Sequence, residues 1–416
     1  MATFFSLIVA LLSAATCCAF PAANIARSVS FEFGAQKVRG VNIGGWLLLE
    51  PWITPSIFQK LNGPVDEYTL TEQLGSDAAL SILQPHWETF VKLDDFERIA
   101  EAGFNTVRIP VGYWAFKKID GDPFVQGAAP YIDTAIEWAR STNLKVWIDL
   151  HGAPGSQNGF DNSGQKTENI GFQQGGNEQH TLEVLAIISE KYAQPEYQDV
   201  VVAIELLNEP LGVKLDLDRL RQFTREGYGR VRDVSQDTTV AFSDAFEEVS
   251  TYNGFLTPSD NNAQNVLIDH HEYQVFDAQK IQWSHEEHIS QVCNLRSAYS
   301  GSDKVVIVGE WSGAMTDCAP ALNGYGIASR YEGLYDDSPH VGECGNINFI
   351  DTWDQALKDD TRRYIAAQME AYECAAGGWI FWNFKTEASA EWDAFRLIDN
   401  GAFPDVNGVQ CGTYCQ

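Results

Sequence analysis

Short runs of Val, Ile and Leu alternate along this chain with longer stretches in which apolar residues fall three and four positions apart. Eight runs have strand character: Val38 to Ile43, Thr106 to Ile109, Lys145 to Leu150, Val201 to Leu207, Thr238 to Ser243, Asn265 to His270, Lys304 to Gly309 and Gly378 to Trp382. Between them, Leu93 to Ala102, Tyr131 to Ser141 and Thr361 to Ala375 show the spacing of a helix with one face packed on a sheet. Such alternation is the mark of βαβ units and a parallel sheet. Eight strands over roughly 350 residues match a closed barrel, because an open doubly wound sheet usually stops near six. The expected fold class is therefore α/β, a (β/α)8 TIM barrel. No Pro- or Ser-rich linker, internal repeat or low-complexity tract divides the chain, so one domain is expected from residue 24 to 416.

Charge removes whole classes of partner. With 28 Lys and Arg against 57 Asp and Glu, the formal net charge is -29, which repels phosphate backbones and anionic membranes. No nucleic acid and no membrane partner is expected, and acidity is read as a device for solubility. Phe4 to Ala15 is an apolar run of signal-peptide length, followed by small residues at Ala19, Ala22 and Ala23. Residues 1–20 are thus expected to be a leader cleaved near 19–23, although no Lys or Arg precedes Arg27. The run is too short for a comfortable span, and no later stretch reaches the roughly 20 apolar residues a span needs. A secreted protein, found outside the cell or at the cell wall and acting as a monomer, is the expectation.

Export also settles how the cysteines are read. Cys17 and Cys18 leave with the leader, and Cys293, Cys318, Cys344, Cys374, Cys411 and Cys415 remain. Their spacing lacks paired metal-ligand motifs, so disulfides are expected in an oxidising compartment. Connectivity stays open, although Cys411 and Cys415 beside the terminus suggest a tail stapled to the body. No N-x-S/T sequon is present.

In barrels of this kind chemistry sits at the C-terminal ends of the strands, and the unusual residues of this sequence collect there. The first strand leads to Gly44-Gly45-Trp46 and Glu50, the second holds Arg108, and the third ends in His151. The fourth ends in Asn208-Glu209-Pro210, the sixth in His270-His271-Glu272-Tyr273, the seventh in Glu310-Trp311 and the eighth in Trp382. Glu209 and Glu310 follow apolar runs on strands that face each other across a barrel mouth. Glycoside cleavage needs two such carboxyls, one to protonate the leaving oxygen and one to meet the sugar carbon from the other side. At about 5–5.5 Å apart they would give retention through a covalent intermediate.

The segments RGVNIGGWLLLEPW, IPVGYW, DLHGAPGSQNGFDNSG, ELLNEPLG, DHHEYQVF, VGEWSGAMTDC and GGWIFWNFKTE closely resemble the fungal exo-β-1,3-glucanases of glycoside hydrolase family 5, from about Phe31 to Phe403. The resemblance implies release of glucose from non-reducing ends of β-1,3-glucan by double displacement, with transglucosylation and weak β-1,6 activity alongside. It implies Glu209 as acid/base, Glu310 as nucleophile, Asn208 on the sugar 2-hydroxyl, and Arg108 and Tyr273 as partners of the nucleophile. It further implies sugar contacts from His151, His271 and Glu50, an apolar floor at Trp382, and a clamp of Phe160 and Phe276 at the pocket mouth. Ile327 departs from the yeast members, which carry an additional arginine there. In this scheme Arg108 and Tyr273 hold the pKa of Glu310 down, and the charge on Glu310 raises that of Glu209. An endo-acting β-glucanase or mannanase of the same family, or a non-catalytic glucan-binding wall protein, are the rival readings.

Other signals carry less. Asp269-His270-His271-Glu272 looks like a metal cluster, but adjacent strand residues point to opposite faces. His285-Glu286-Glu287-His288 is one residue short of a zinc motif and is read as a solvated helix start. Gly152 to Gly164 lacks a phosphate-binding pattern, and Ser312 lacks a nucleophile elbow. Neither metal nor cofactor is expected.

Overall fold

The computed structural model describes residues 31–61 and 63–416. The expected leader and its cleavage region lie outside them. Strands β1 (Val38–Asn42), β2 (Thr106–Gly112), β3 (Lys145–Gly152), β4 (Val201–Glu205), β5 (Thr239–Ser243), β6 (Val266–His271), β7 (Val305–Glu310) and β8 (Gly378–Phe381) coincide with the eight sequence runs. Each pairs in parallel with the next, and β8 pairs with β1 to close the barrel. The (β/α)8 expectation is met.

Helices α1 (Pro55–Gln59), α2 (Glu67–Leu74), α3 (Ser76–Thr89) and α4 (Leu93–Glu101) follow β1. Then α5 (Pro130–Thr142) follows β2, α6 (Asn177–Tyr192) β3, and α7 (Leu217–Arg232) β4. Helices α8 (His285–Asn294) and α9 (Arg296–Ser300) follow β6, α10 (Gln355–Ala375) follows β7, and α11 (Ala394–Asp399) β8. The β5 crossover departs from the scheme. Its only helical piece is a 3-10 turn at Val249–Tyr252, where Tyr252 and Phe255 pack on Phe242 in place of an α-helix.

Local chemistry sets the helix starts. The Asp216 carboxylate accepts from the backbone of Asp218 and Arg219 to cap α7, and Asp354 accepts from Leu357 to cap α10. Because of that cap, α10 starts at Gln355 and not at Thr361: its first turn is solvated and carries no apolar periodicity to read. Ser284 and Glu287 form a capping box on α8. Of the motif there, Glu286 and Glu287 are exposed, but His288 is buried and its Nδ1 lies 2.7 Å from Gln274 Oε1. The solvated reading fails for that residue, since position 288 faces inward with Ile289 and Val292.

Strand alternation sorts the side chains into two shells. Outward residues such as Val107, Ile109, Ile148, Leu150, Ile204, Ile268 and Val308 join the core under the helices. Inward residues form layers. Phe31, Val38, Trp147, Ala203, Ala241, Leu267, Ile307 and Ile380 fill the bottom. Above them lies a charged layer of Arg108, Asp149, Glu205 and Asp269, all fully buried.

The six cysteines form Cys293–Cys415, Cys318–Cys344 and Cys374–Cys411. Two of these bonds staple the tail to α8 and α10, as expected. The Glu370 carboxylate strengthens the joint by accepting from the backbone N–H groups of Gly412, Thr413, Tyr414 and Cys415.

Candidate active site

The charged layer supports the site above it. Arg108 donates from Nε to Glu205 at 2.9 Å, from Nη1 to Asn42 at 3.1 Å and to Glu310 at 3.0 Å, and from Nη2 to Asn208 at 2.7 Å. Nη2 also lies 3.1 Å from Asp149 and 3.5 Å from Asp269. Burial alone would push this guanidinium toward neutrality, but Asp149, Glu205, Asp269 and Glu310 outweigh it and raise its pKa well above the ordinary value. One cation cannot balance four anions in a dry interior. Accordingly burial, opposed by Arg108 and aided by Asp149 and Asp269, raises the Glu205 carboxyl well above its usual range.

Glu209 occupies an unusual backbone position. Its φ is 43°, a left-handed conformation that costs a non-glycine residue on the order of 1–3 kcal/mol. The neighbouring chain holds it there. Asn208 N–H donates to Leu150 O at 3.0 Å, and Gln157 donates from Nε2 to the carbonyls of both His151 and Asn208 at 2.8 and 2.9 Å. Gln157 thus ties the end of β3 to the end of β4. The result aims the Glu209 carboxylate across the mouth, where a carboxylate oxygen of Glu209, one of Glu310 and a nitrogen of His271 lie within 4.8 Å of one another.

Glu310 accepts from Arg108 on one oxygen and from Tyr273 Oη at 3.0 Å on the other. Burial first, then Glu310 and Glu209, raises the Tyr273 phenol well above its ordinary pKa, so it remains a donor. His271 bridges the pair: Nδ1 lies 2.8 Å from Glu209 Oε1 and 3.5 Å from Glu310 Oε2, and Nε2 lies 3.3 Å from Asp269. Burial disfavours an imidazolium, but Glu310, Asp269 and Glu209 outweigh burial and raise the His271 pKa well above 6.5.

This bridge overturns the sequence-level account of the two carboxyl pKa values. Burial raises Glu209, but the His271 hydrogen bond and charge, with help from His151 and the Asn162 amide, bring it below the ordinary value. Glu310 is raised, chiefly by burial and by Glu209 against His271 and Arg108.

A cavity of about 640 Å³ opens above the pair. Glu50, Phe160, Glu209, Tyr273, Phe276, Glu310 and Trp382 line it, whereas Arg108, His151, Asn208 and His271 stand one layer behind. His151 is fixed by Asp149 at 2.6 Å and stacks on Trp382 with centroids 5.5 Å apart. Trp382 can lie flat because residue 44 is glycine: a Cβ there would sit 2.7 Å from the indole. At the deep end, Trp52 Nε1 donates to Glu50 Oε2 at 2.9 Å. Glu50 Oε1 and Asp161 Oδ2 have no hydrogen-bond partner among the described residues. Burial and the proximity of Asp161 raise Glu50 well above its usual pKa, while burial pushes Asp161 up to about 7.

His270 points outward to Asp244 and Tyr299, as strand alternation requires. Several lining residues escaped the sequence reading. Asn162 donates to Glu209 Oε2 at 2.8 Å. Phe246, 47% exposed, joins Phe160 at 42% and Phe276 at 46% as a third open ring on the cavity. It had the same signal as the other two, an aromatic in a polar loop after a strand. Trp392 packs between Trp52 and Tyr273 with centroids 5.0 and 5.2 Å away. Ile327 lines the wall with Leu322, Asn323 and Gly324.

A family model for cellulases, glycosyl hydrolase family 5, matches residues 72–328. A Schwanniomyces occidentalis protein named glucan 1,3-beta-glucosidase is 49% identical over 395 residues, 92% of each chain. An Aspergillus fumigatus protein named probable glucan 1,3-beta-glucosidase A is 46% identical over 91% of this chain and 90% of its own. Among solved structures, a rutinosidase from Aspergillus niger superposes with a TM-score of 0.72 at 20% identity, over 90% of this chain and 99% of that one, a likeness of fold. The family match over most of the barrel, and relatives so similar along nearly the whole chain, place this protein in glycosyl hydrolase family 5.

Proposed function

We propose that this protein is a secreted hydrolase that removes glucose from the non-reducing ends of β-1,3-glucan with retention of configuration. Glu310 is the nucleophile and Glu209 the acid/base. The observation that carries the reading is the approach of their carboxylate oxygens to within 4.8 Å across one cavity. Retaining enzymes hold the pair about 5–5.5 Å apart, and inverting ones leave about 6.5–9.5 Å for a water. Support for the substrate comes from the relatives named glucan 1,3-beta-glucosidase, at 44–49% identity.

In the first step a Glu310 oxygen bonds to the anomeric carbon while the glycosidic C–O bond breaks and its electron pair takes the proton of Glu209. Arg108 and Tyr273 orient Glu310. In the second step water replaces the ester, giving its proton to Glu209, and a sugar hydroxyl in place of water gives transglucosylation or a β-1,6 bond. Trp382 is the floor of the sugar ring, and Asn208, His151 and His271 back the wall that faces its hydroxyls. Glu50 Oε1, unpaired at the deep end, accepts from the terminal sugar, and Phe160 and Phe276 clamp the incoming chain. That deep acidic wall favours attack from a chain end.

Export is supported by three disulfides and by the apolar leader, with residues 24–416 as the mature catalytic unit, active as a monomer on glucan alone. Among the described residues no helix is long and apolar enough to cross a membrane. The test is laminarin digestion by wild type, Glu310→Gln and Glu209→Gln. Wild type should give β-glucose as the sole early product, and each variant should lose on the order of 10³-fold or more in rate. A ladder of oligosaccharides would replace this reading with endo attack. Binding without hydrolysis by wild type would leave a glucan-binding wall protein.

A further inference from the structure

We propose that Asp269 is a positioning residue for the acid/base step, acting through His271 to fix the imidazole nitrogen that faces Glu209 and to keep that pair supplied with its proton. The inference rests on the reading of Glu209 as acid/base and adds a residue that touches neither substrate nor reacting atoms.

Two carboxyl groups and one ring form a line through the barrel. Asp269 Oδ2 lies 3.3 Å from His271 Nε2, and His271 Nδ1 lies 2.8 Å from Glu209 Oε1. All three are buried. The spacing is built in. Asp269 and His271 stand two apart on β6, so both face inward, and the register shift between His270 and His271 sets His271 opposite Glu310. Room for the Asp269 carboxylate exists only because its neighbour on β7 is glycine: a Cβ at Gly309 would lie 1.9 Å from Asp269 Oδ1.

An anionic Asp269 requires Nε2 to carry hydrogen, which leaves Nδ1 either as the second N–H of an imidazolium or as an acceptor. Moving the Nδ1 proton to Glu209 Oε1 therefore yields a protonated acid and a neutral ring of the correct tautomer. No ring flip is needed. After Glu209 has served as base, the reverse transfer returns the proton to Nδ1. The groups facing this line are Glu310 from β7, Arg108 from β2 at 3.5 Å from Asp269, Glu205 from β4, Glu209 from the turn after it, and His151 from β3.

Removing the charge of Asp269 destabilises the imidazolium, so the pair gives up its proton at lower pH. The measurement is kcat/KM for Asp269→Asn on laminaritriose, whose leaving group needs the acid, and on 2,4-dinitrophenyl β-glucoside, whose leaving group does not. The expected result is a loss on the order of 10–100-fold on laminaritriose, less than about 3-fold on the aryl glucoside, and a basic limb of the pH profile moved to lower pH. His271→Gln, which removes the ring that joins Asp269 to Glu209, should lose at least as much on laminaritriose and move the basic limb the same way. Equal losses on both substrates, or an unmoved basic limb, would overturn the proposal and assign Asp269 to scaffolding. Failure of wild type on laminaritriose would instead count against the catalytic reading itself.

Discussion

Gly309 shows how much of this site depends on a missing side chain. Because a Cβ there would overlap Asp269 at 1.9 Å, Gly309→Ala must displace a buried carboxylate that Arg108 and His271 both address. We expect a loss of about 1–3 kcal/mol in unfolding free energy, with a larger fall in kcat than in substrate binding, seen by denaturant titration beside steady-state kinetics. A variant as stable and active as wild type would mean the strands spread without cost. Phe246 makes the opposite case, an open ring with nothing to hold. If it stacks on a sugar face beyond the Phe160 and Phe276 pair, Phe246→Ala should raise KM on laminarin several-fold and leave p-nitrophenyl β-glucoside unchanged. Equal effects on both would place it outside the substrate path.

At the level of elements, the tail is held by covalent and ionic devices that act on the same short segment. Glu370 on α10 collects four backbone N–H groups from residues 412–415, and Cys374–Cys411 closes a loop of sequence separation 37. Glu370→Ala leaves those donors without their acceptor, at a cost of about 1–3 kcal/mol. Thermal unfolding should report a lower midpoint, and limited proteolysis should clip the tail first while laminarin activity at 25 °C survives. Loss of activity in step with the tail would tie that segment to the barrel mouth. The β5 crossover is the other element of note, since Tyr252 and Phe255 cover Phe242 where an α-helix would normally pack.

For the whole molecule, buried carboxyls set the pH at which the fold is most stable. Burial raises Glu67, Asp161 and Glu391 to about 7 each, above the roughly 4 of an unfolded chain. A raised folded pKa means the native state holds protons that the unfolded state has released, so stability falls as pH climbs from about 4 to 7 and then levels. The formal charge of -29 at pH 7 adds repulsion in the same direction. We expect a higher melting temperature at pH 5 than at pH 8 by calorimetry, and a rise across that interval would show these groups to be ionised in the native state.

The sequence by itself determined the barrel and the places where its chemistry stands, because both are local. Strand runs such as Val201 to Leu207 and Val305 to Gly309 declare themselves by apolar content, and Asn208-Glu209-Pro210 and Glu310 declare themselves by interrupting it. Tertiary structure decided whatever depends on distance between segments remote in the chain. Disulfide pairing, the meeting of Asn162 with Glu209, and the layer of Asp149, Glu205 and Asp269 around Arg108 are of that kind. So is the reversal of the expected pKa order: the family resemblance implied Arg108 and Tyr273 as partners of Glu310, but the imidazole that bridges both carboxylates comes from β6. Electrostatic energy depends on separation and burial in space, and neither quantity is written in the order of residues along the chain.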